Sequence, residues 1–150
     1  MDINSIPDGL KDYLYKLKIN INNEVISIDL EKELTVDKNN IEGSLAELPM
    51  TTGTLGIIYS RLKESIADKK LQLSIRKAVL VDKAIEQGIK AKQLIDDMVG
   101  DDEELVKCSQ QLNELNCYMG IVYNAIEALK TKSYILLNMY KFDMDENRMN

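Results

Sequence analysis

The sequence predicts an all-α protein: a long antiparallel helical hairpin of coiled-coil character, preceded by a small N-terminal β-hairpin and assembled as an oligomer. Three observations carry this prediction. Apolar residues recur with heptad spacing over 105–140, a second such run covers 55–80, and residues 13–30 alternate with the period of a strand. The 150 residues are 45% apolar and 29% charged, enough apolar material for one core and far from the composition of a disordered or membrane-embedded chain. The organisation expected is an N-terminal segment over 1–33, a helical coiled-coil domain over 34–141 and a frayed polar tail over 142–150.

At the N-terminus, Tyr15, Leu17, Ile19 and Ile21 alternate with Lys16, Lys18 and Asn20. Asn22-Asn23-Glu24 offers a turn, and Val25, Ile26 and Ile28 suit a returning strand. Leu10, Leu14 and Leu17 also fit one face of a helix, so the period alone leaves both readings open. Asp37 is a natural N-cap for a short helix through Ile41, Leu45 and Leu48, which Pro49 should stop. Thr51, Thr52 and Gly53 then read as a loop and cap.

From about Leu55 to Asp82 the spacing predicts the first long helix. Its seam is Leu55, Tyr59, Leu62, Ile66, Lys69, Leu73, Arg76 and Leu80, six of the eight apolar. Ile85, Ile89, Ile95 and Met98 extend the helical pattern to Gly100. Gly100-Asp101-Asp102 should end that helix and cap the next. The last helix has the clearest seam: Leu105, Cys108, Leu112, Leu115, Met119, Val122, Ile126, Leu129, Ser133, Leu136 and Tyr140 keep 3-4 spacing, with Ser133 alone plainly polar. At ~1.5 Å per residue it is a rod of roughly 54 Å, longer than a domain of this size can cover alone. Neighbouring subunits are therefore expected against Leu112, Leu115, Met119, Val122, Ile126 and Leu129.

Absences narrow the chemistry. With no histidine, Ser-His-Asp and Cys-His catalysis and histidine-based zinc sites are excluded. Cys108 and Cys117 fall in different turns on opposite sides of a helix, cannot bridge each other within it, and read as buried free thiols of a reducing compartment. Asp143, Asp145 and Asn147 imitate the start of a calcium loop but lack its glycine and closing glutamate. Asp96-Asp97 and Asp101-Asp102-Glu103-Glu104 are paired acids, the second group explained by capping. No Gly-rich phosphate loop occurs. No enzyme, cofactor or metal is expected, nor any membrane span or signal peptide, and the chain reads as cytoplasmic.

The formal charge of −6 disfavours nucleic acid as a partner, but the charge is uneven. Over 61–83, Arg61, Lys63, Lys69, Lys70, Arg76, Lys77 and Lys83 oppose only Glu64, Asp68 and Asp82. Lys63, Lys70 and Lys77 recur every seven residues, and so do Lys69, Arg76 and Lys83, forming two basic ridges suited to a phosphate backbone. The competing reading is a solvated coiled-coil face, and the scarcity of aromatic residues beyond Tyr59 on which bases could stack favours it. Tyr118, Tyr123, Tyr134 and Tyr140 on the last helix suit interface anchors or half-buried core.

From residue 34 the chain carries, in order, Val36-Asp37-Lys38-Asn39-Asn40-Ile41-Glu42, Leu45-Ala46-Glu47-Leu48-Pro49, Ile57-Ile58-Tyr59-Ser60-Arg61-Leu62, Ile89-Lys90-Ala91-Lys92-Gln93-Leu94-Ile95 and Tyr123 to Lys132. This order of segments bears a resemblance to the UvsY-like family of phage recombination mediators. It covers about two-thirds of the chain and none of residues 1–30. Val81 to Gly88 departs from the family's basic and aromatic run at the end of its first long helix. The resemblance implies a ring-like homo-oligomer that binds single-stranded DNA and helps load a RecA-like recombinase onto strands covered by single-strand-binding protein. The rival reading is a structural or adaptor protein, such as a virion component or assembly chaperone, that binds protein only. An acidic nucleic-acid mimic is a third, disfavoured by the scatter of the negative charges.

Overall fold

The structure, a computed structural model, describes residues 16–21 and 24–149, and of 146–149 the backbone alone. In chain order the elements are β1 (Lys16–Ile21), β2 (Glu24–Asp29), α1 (Leu30–Leu34), α2 (Ile41–Glu86), α3 (Lys92–Gly100) and α4 (Glu103–Met149). The chain divides into two compact units, one formed by the residues up to Arg61 together with those from Gly120 onward, the other by Leu62–Met119.

In the first unit β1 and β2 pair antiparallel, with Leu17 opposite Ile28 and Ile19 opposite Ile26. This is the expected hairpin. Leu10, Leu14, Tyr15 and the turn residues Asn22 and Asn23 lie outside the described residues. Leu17, Ile19 and Ile21 are 3% exposed or less, while Lys16, Lys18 and Asn20 face outward, so a strict two-residue alternation buries one face of the strand. Asp29 caps α1 by accepting a hydrogen bond from the Lys32 amide at 3.1 Å. Lys132 on α4 closes its far end, donating to the Glu33 carbonyl at 2.7 Å. Thr51 of α2 donates to the Glu33 carboxylate at 3.0 Å. The core is completed by Leu48, Leu55 and Ile58 of α2 and by Val122, Ala125, Leu129 and Leu136 of α4.

Two expectations about the start of α2 are corrected. Asn40, not Asp37, is the N-cap: its side-chain oxygen accepts from the Gly43 amide at 3.1 Å, while Asp37 holds the preceding turn through the Asn39 amide at 2.9 Å. Nor does Pro49 stop the helix. α2 runs unbroken for 46 residues, and Thr51, Thr52 and Gly53 lie inside it. Pro49 removes one intrahelical donor, a cost of about 3 kcal/mol. Opposing it, Leu48, Leu55, Ile58 and Leu62 are buried at one helical spacing, each contributing about 1.5–3 kcal/mol. The apolar face outweighs the single lost bond.

In the second unit Leu62, Ile66, Leu80 and Ala84 of α2 are buried, as are Leu105, Leu115 and Tyr118 of α4. The expected continuation of helix to Gly100 does not occur. Gly88, with φ 78°, is the left-handed residue of a Schellman ending: its amide bonds the Ile85 carbonyl at 2.9 Å and the Ile89 amide bonds that of Ala84 at 3.0 Å. Helix resumes only at Lys92, and α3 buries none of its residues. The Gly100-Asp101-Asp102 turn falls where the sequence put it. Asp102 caps α4 through the Leu105 amide at 2.9 Å. α4 then continues for 47 residues to Met149, through the stretch expected to fray, which contains no glycine or proline to end it.

Candidate nucleic-acid interface

Ridge positions follow from the helical period. At about 100° per residue, Lys63, Lys70 and Lys77 lie on one flank of α2, whereas Lys69, Arg76 and Lys83 lie at or beside the buried line of Leu62, Ile66 and Leu80. The two ridges therefore face different surroundings. Lys63, Lys70 and Lys77 are exposed, and none of them makes an ion pair among the described residues. Their charges stand about 10 Å apart along the helix.

Lys69 and Arg76 occupy places in the seam where an apolar side chain would pack, and both are half-buried. Arg76 is held by α4. Its Nε donates to Asp102 Oδ1 at 3.1 Å, one terminal nitrogen to Oδ2 at 2.6 Å and the other to Glu104 at 2.9 Å. This two-pronged bond raises the guanidinium pKa above its ordinary value. The same bond, followed by the Leu105 amide, holds the Asp102 carboxyl below the usual carboxylate range. Lys69 bonds Gln72 on its own helix at 3.2 Å, and its backbone carbonyl accepts a long contact of 3.9 Å from the Cys108 thiol. Lys69 and Arg76 line a cleft of about 300 Å³ together with Leu73, Leu105 and Gln111. Lys83 is exposed. Arg61 belongs to the first unit and pairs with Glu24 at 3.1 Å, both side chains more than half exposed.

On α4, Leu115 is buried in the second unit, and Val122 and Leu129 in the first, leaving Leu112, Met119 and Ile126 half-buried. The residues expected to meet other subunits are thus in part packed by their own chain. Tyr118 and Ala125 are also buried, so the covered strip lies one residue to the side of the predicted seam. Of the tyrosines, Tyr118 is core and donates to Glu114 at 2.7 Å, Tyr140 is half-buried, and Tyr123 and Tyr134 are 50% and 71% exposed. The Tyr123 ring lies 6.2 Å from that of Tyr59, tilted by 43°. Both cysteines are free, but neither is buried: Cys108 is half-buried and Cys117, outside the covered strip, is exposed.

The sequence reading missed the role of Asp102 and Glu104 as partners of Arg76. Their position beside a helix start was visible, but capping accounted for them. Among the described residues no group of three or more histidine, cysteine or acidic side chains could hold a metal ion, and no helix is long and apolar enough to cross a membrane.

No protein-family model matches the chain, and no curated protein is similar to it in sequence. Solved structures are. Three crystal forms of the bacteriophage T4 recombination mediator protein UvsY superpose with TM-scores of 0.67, 0.60 and 0.60, each at 14% identity. The match spans 78–79% of this chain and 92–95% of the UvsY chain. This chain therefore shares the UvsY fold, as the order of its segments led one to expect.

Proposed function

We propose that this chain, which carries the UvsY fold, is a non-catalytic recombination mediator: a cytoplasmic homo-oligomer that binds single-stranded DNA and helps load a RecA-like recombinase onto strands covered by single-strand-binding protein. The observation that supports this best is the line of Lys63, Lys70 and Lys77, exposed and without ionic partners among the described residues, on a fold shared with a recombination mediator. Regularly spaced ammonium groups on a rigid helix suit a strand of phosphates, which need no side chain to read their sequence. Lys83 and Arg61 are exposed and add further positive charge, Arg61 through a solvent-screened pair that phosphate can replace. Lys69 takes part through the cleft it lines, while Arg76, held by Asp102 and Glu104, keeps α2 against α4. Mediation is then competition: a repeated basic surface weakens the hold of the covering protein and presents the strand to the recombinase.

The outward apolar residues Leu71 and Ile75, 60% and 55% exposed, support a second reading in which the chain is an adaptor that holds protein only. Binding to labelled oligo-dT at low and moderate salt, with oligomer mass recorded alongside, separates the two. Binding by an oligomer that weakens steeply with salt supports the mediator. An oligomer indifferent to DNA at low salt leaves the adaptor.

A further inference from the structure

The long helices carry outward faces with complementary ends. On α2, Leu71, Ile75 and Val79 are 60%, 55% and 40% exposed, and the helical period sets them opposite the buried Leu62, Ile66 and Leu80. Asp68 and Asp82, both exposed, close this strip at its two ends, and neither makes an ion pair among the described residues. On the last third of α4, Lys130, Tyr134, Leu137 and Lys141 share one face. Tyr134 and Leu137 are 71% and 42% exposed, and lysines stand at both ends. Lys130 meets Glu127 of its own helix at 2.6 Å, an exposed pair of small worth, and Lys141 makes no ion pair among the described residues. The acids are about 21 Å apart along α2 and the lysines about 16 Å apart along α4, a difference that the long lysine side chains span.

We propose that these two faces bind each other between copies of the chain, the acid-ended strip of α2 in one copy receiving the lysine-ended face of α4 in the next. Either face paired with its own duplicate would set like charges together, whereas the cross pairing joins opposite charges at both ends of an apolar contact. Such a contact is heterologous, and where its rotation closes it makes rings. These residues are fewer than the roughly 20–30 a side of a stable interface, so the contact holds by repetition, each copy engaged through both faces. Lys63, Lys70 and Lys77 lie more than a third of a turn from the strip and stay free for a strand. The inference rests on the self-association proposed above and names the surfaces that carry it.

The test is oligomer mass by native mass spectrometry for Asp68→Lys with Asp82→Lys, for Lys130→Glu with Lys141→Glu, and for all four together, with circular dichroism as a control. Each pair should lower the mass, and the fourfold variant should restore it. Unchanged mass in both pair variants, or a helical fourfold variant that stays dissociated, would overturn the proposal. Independently of folding, carbodiimide coupling of mixed ¹⁴N and ¹⁵N wild-type chains should join Lys130 or Lys141 of one copy to Asp68 or Asp82 of another; a coupled oligomer without such links overturns it too. A monomeric wild type would sink self-association itself, while oligo-dT binding measured on the same sample would still report on the DNA reading.

Discussion

Arg76 grips Asp102 with two nitrogens, at 3.1 and 2.6 Å, across 26 residues of sequence. The acid that caps α4 is thereby the acid that neutralises the one arginine in the seam of α2. A residue whose spacing suits DNA contact is instead engaged in holding one helix to the next.

The pair makes stability depend on acid. Asp102 has its folded pKa lowered, so its contribution is complete above the unfolded value of about 3.9 and is lost as pH falls through the lower folded value. Asp102→Asn keeps a good cap but not the charge. Thermal melts from pH 6 to 2 should show the wild type losing its advantage over this variant below about pH 4. Parallel curves throughout would contradict the assignment.

The lysine ridge predicts a salt slope. Replacing Lys63, Lys70 and Lys77 by glutamine should remove three phosphate contacts and lower the slope of log K against log salt by about 2. Arg76→Gln should lower the melting temperature more than it lowers DNA affinity, because its guanidinium is already taken by Asp102 and Glu104. Melting curves beside titrations with oligo-dT at several salt concentrations check both.

Leu62 and Leu71 sit on opposite faces of α2, at 0% and 60% exposure. Leu62→Ala should cost about 2–5 kcal/mol through the cavity it leaves. Leu71→Ala should fall within about 0.5 kcal/mol of wild type in the dissociated chain. Urea unfolding at low protein concentration distinguishes them.

Pro49 is exposed within an unbroken helix, so Pro49→Ala should stabilise the chain by about 1–3 kcal/mol as the Leu45 carbonyl regains its donor. A loss of stability would contradict the balance drawn between the missing donor and the buried apolar face.

Much of this architecture is legible in the linear sequence because hydrophobic period is a local property. The alternation at Leu17, Ile19 and Ile21 marked the strand, and the 4-3 run through Leu55, Leu62, Ile66 and Leu80 marked the buried side of α2. The cap at Asp102 was equally visible, since a short acid after glycine satisfies amides only a turn away. Spacing picked out the seven basic residues of 61–83, but not which of them pair with acids.

Tertiary contacts decided the rest. Proline at 49 reads locally as a stop, yet the burial of Leu48, Leu55 and Ile58 spreads a larger free energy along one face than a single missing donor removes. Gly88 reads locally as one weak residue within a helical pattern, and α3, with nothing buried, had no packing to carry the helix past it. Lys70 and Arg76 are alike in type and spacing. Only the arrival of Asp102 and Glu104 on a second helix makes one an internal clasp while the other stays in solvent, because ion pairing depends on distance in space, which helical period within one segment does not determine.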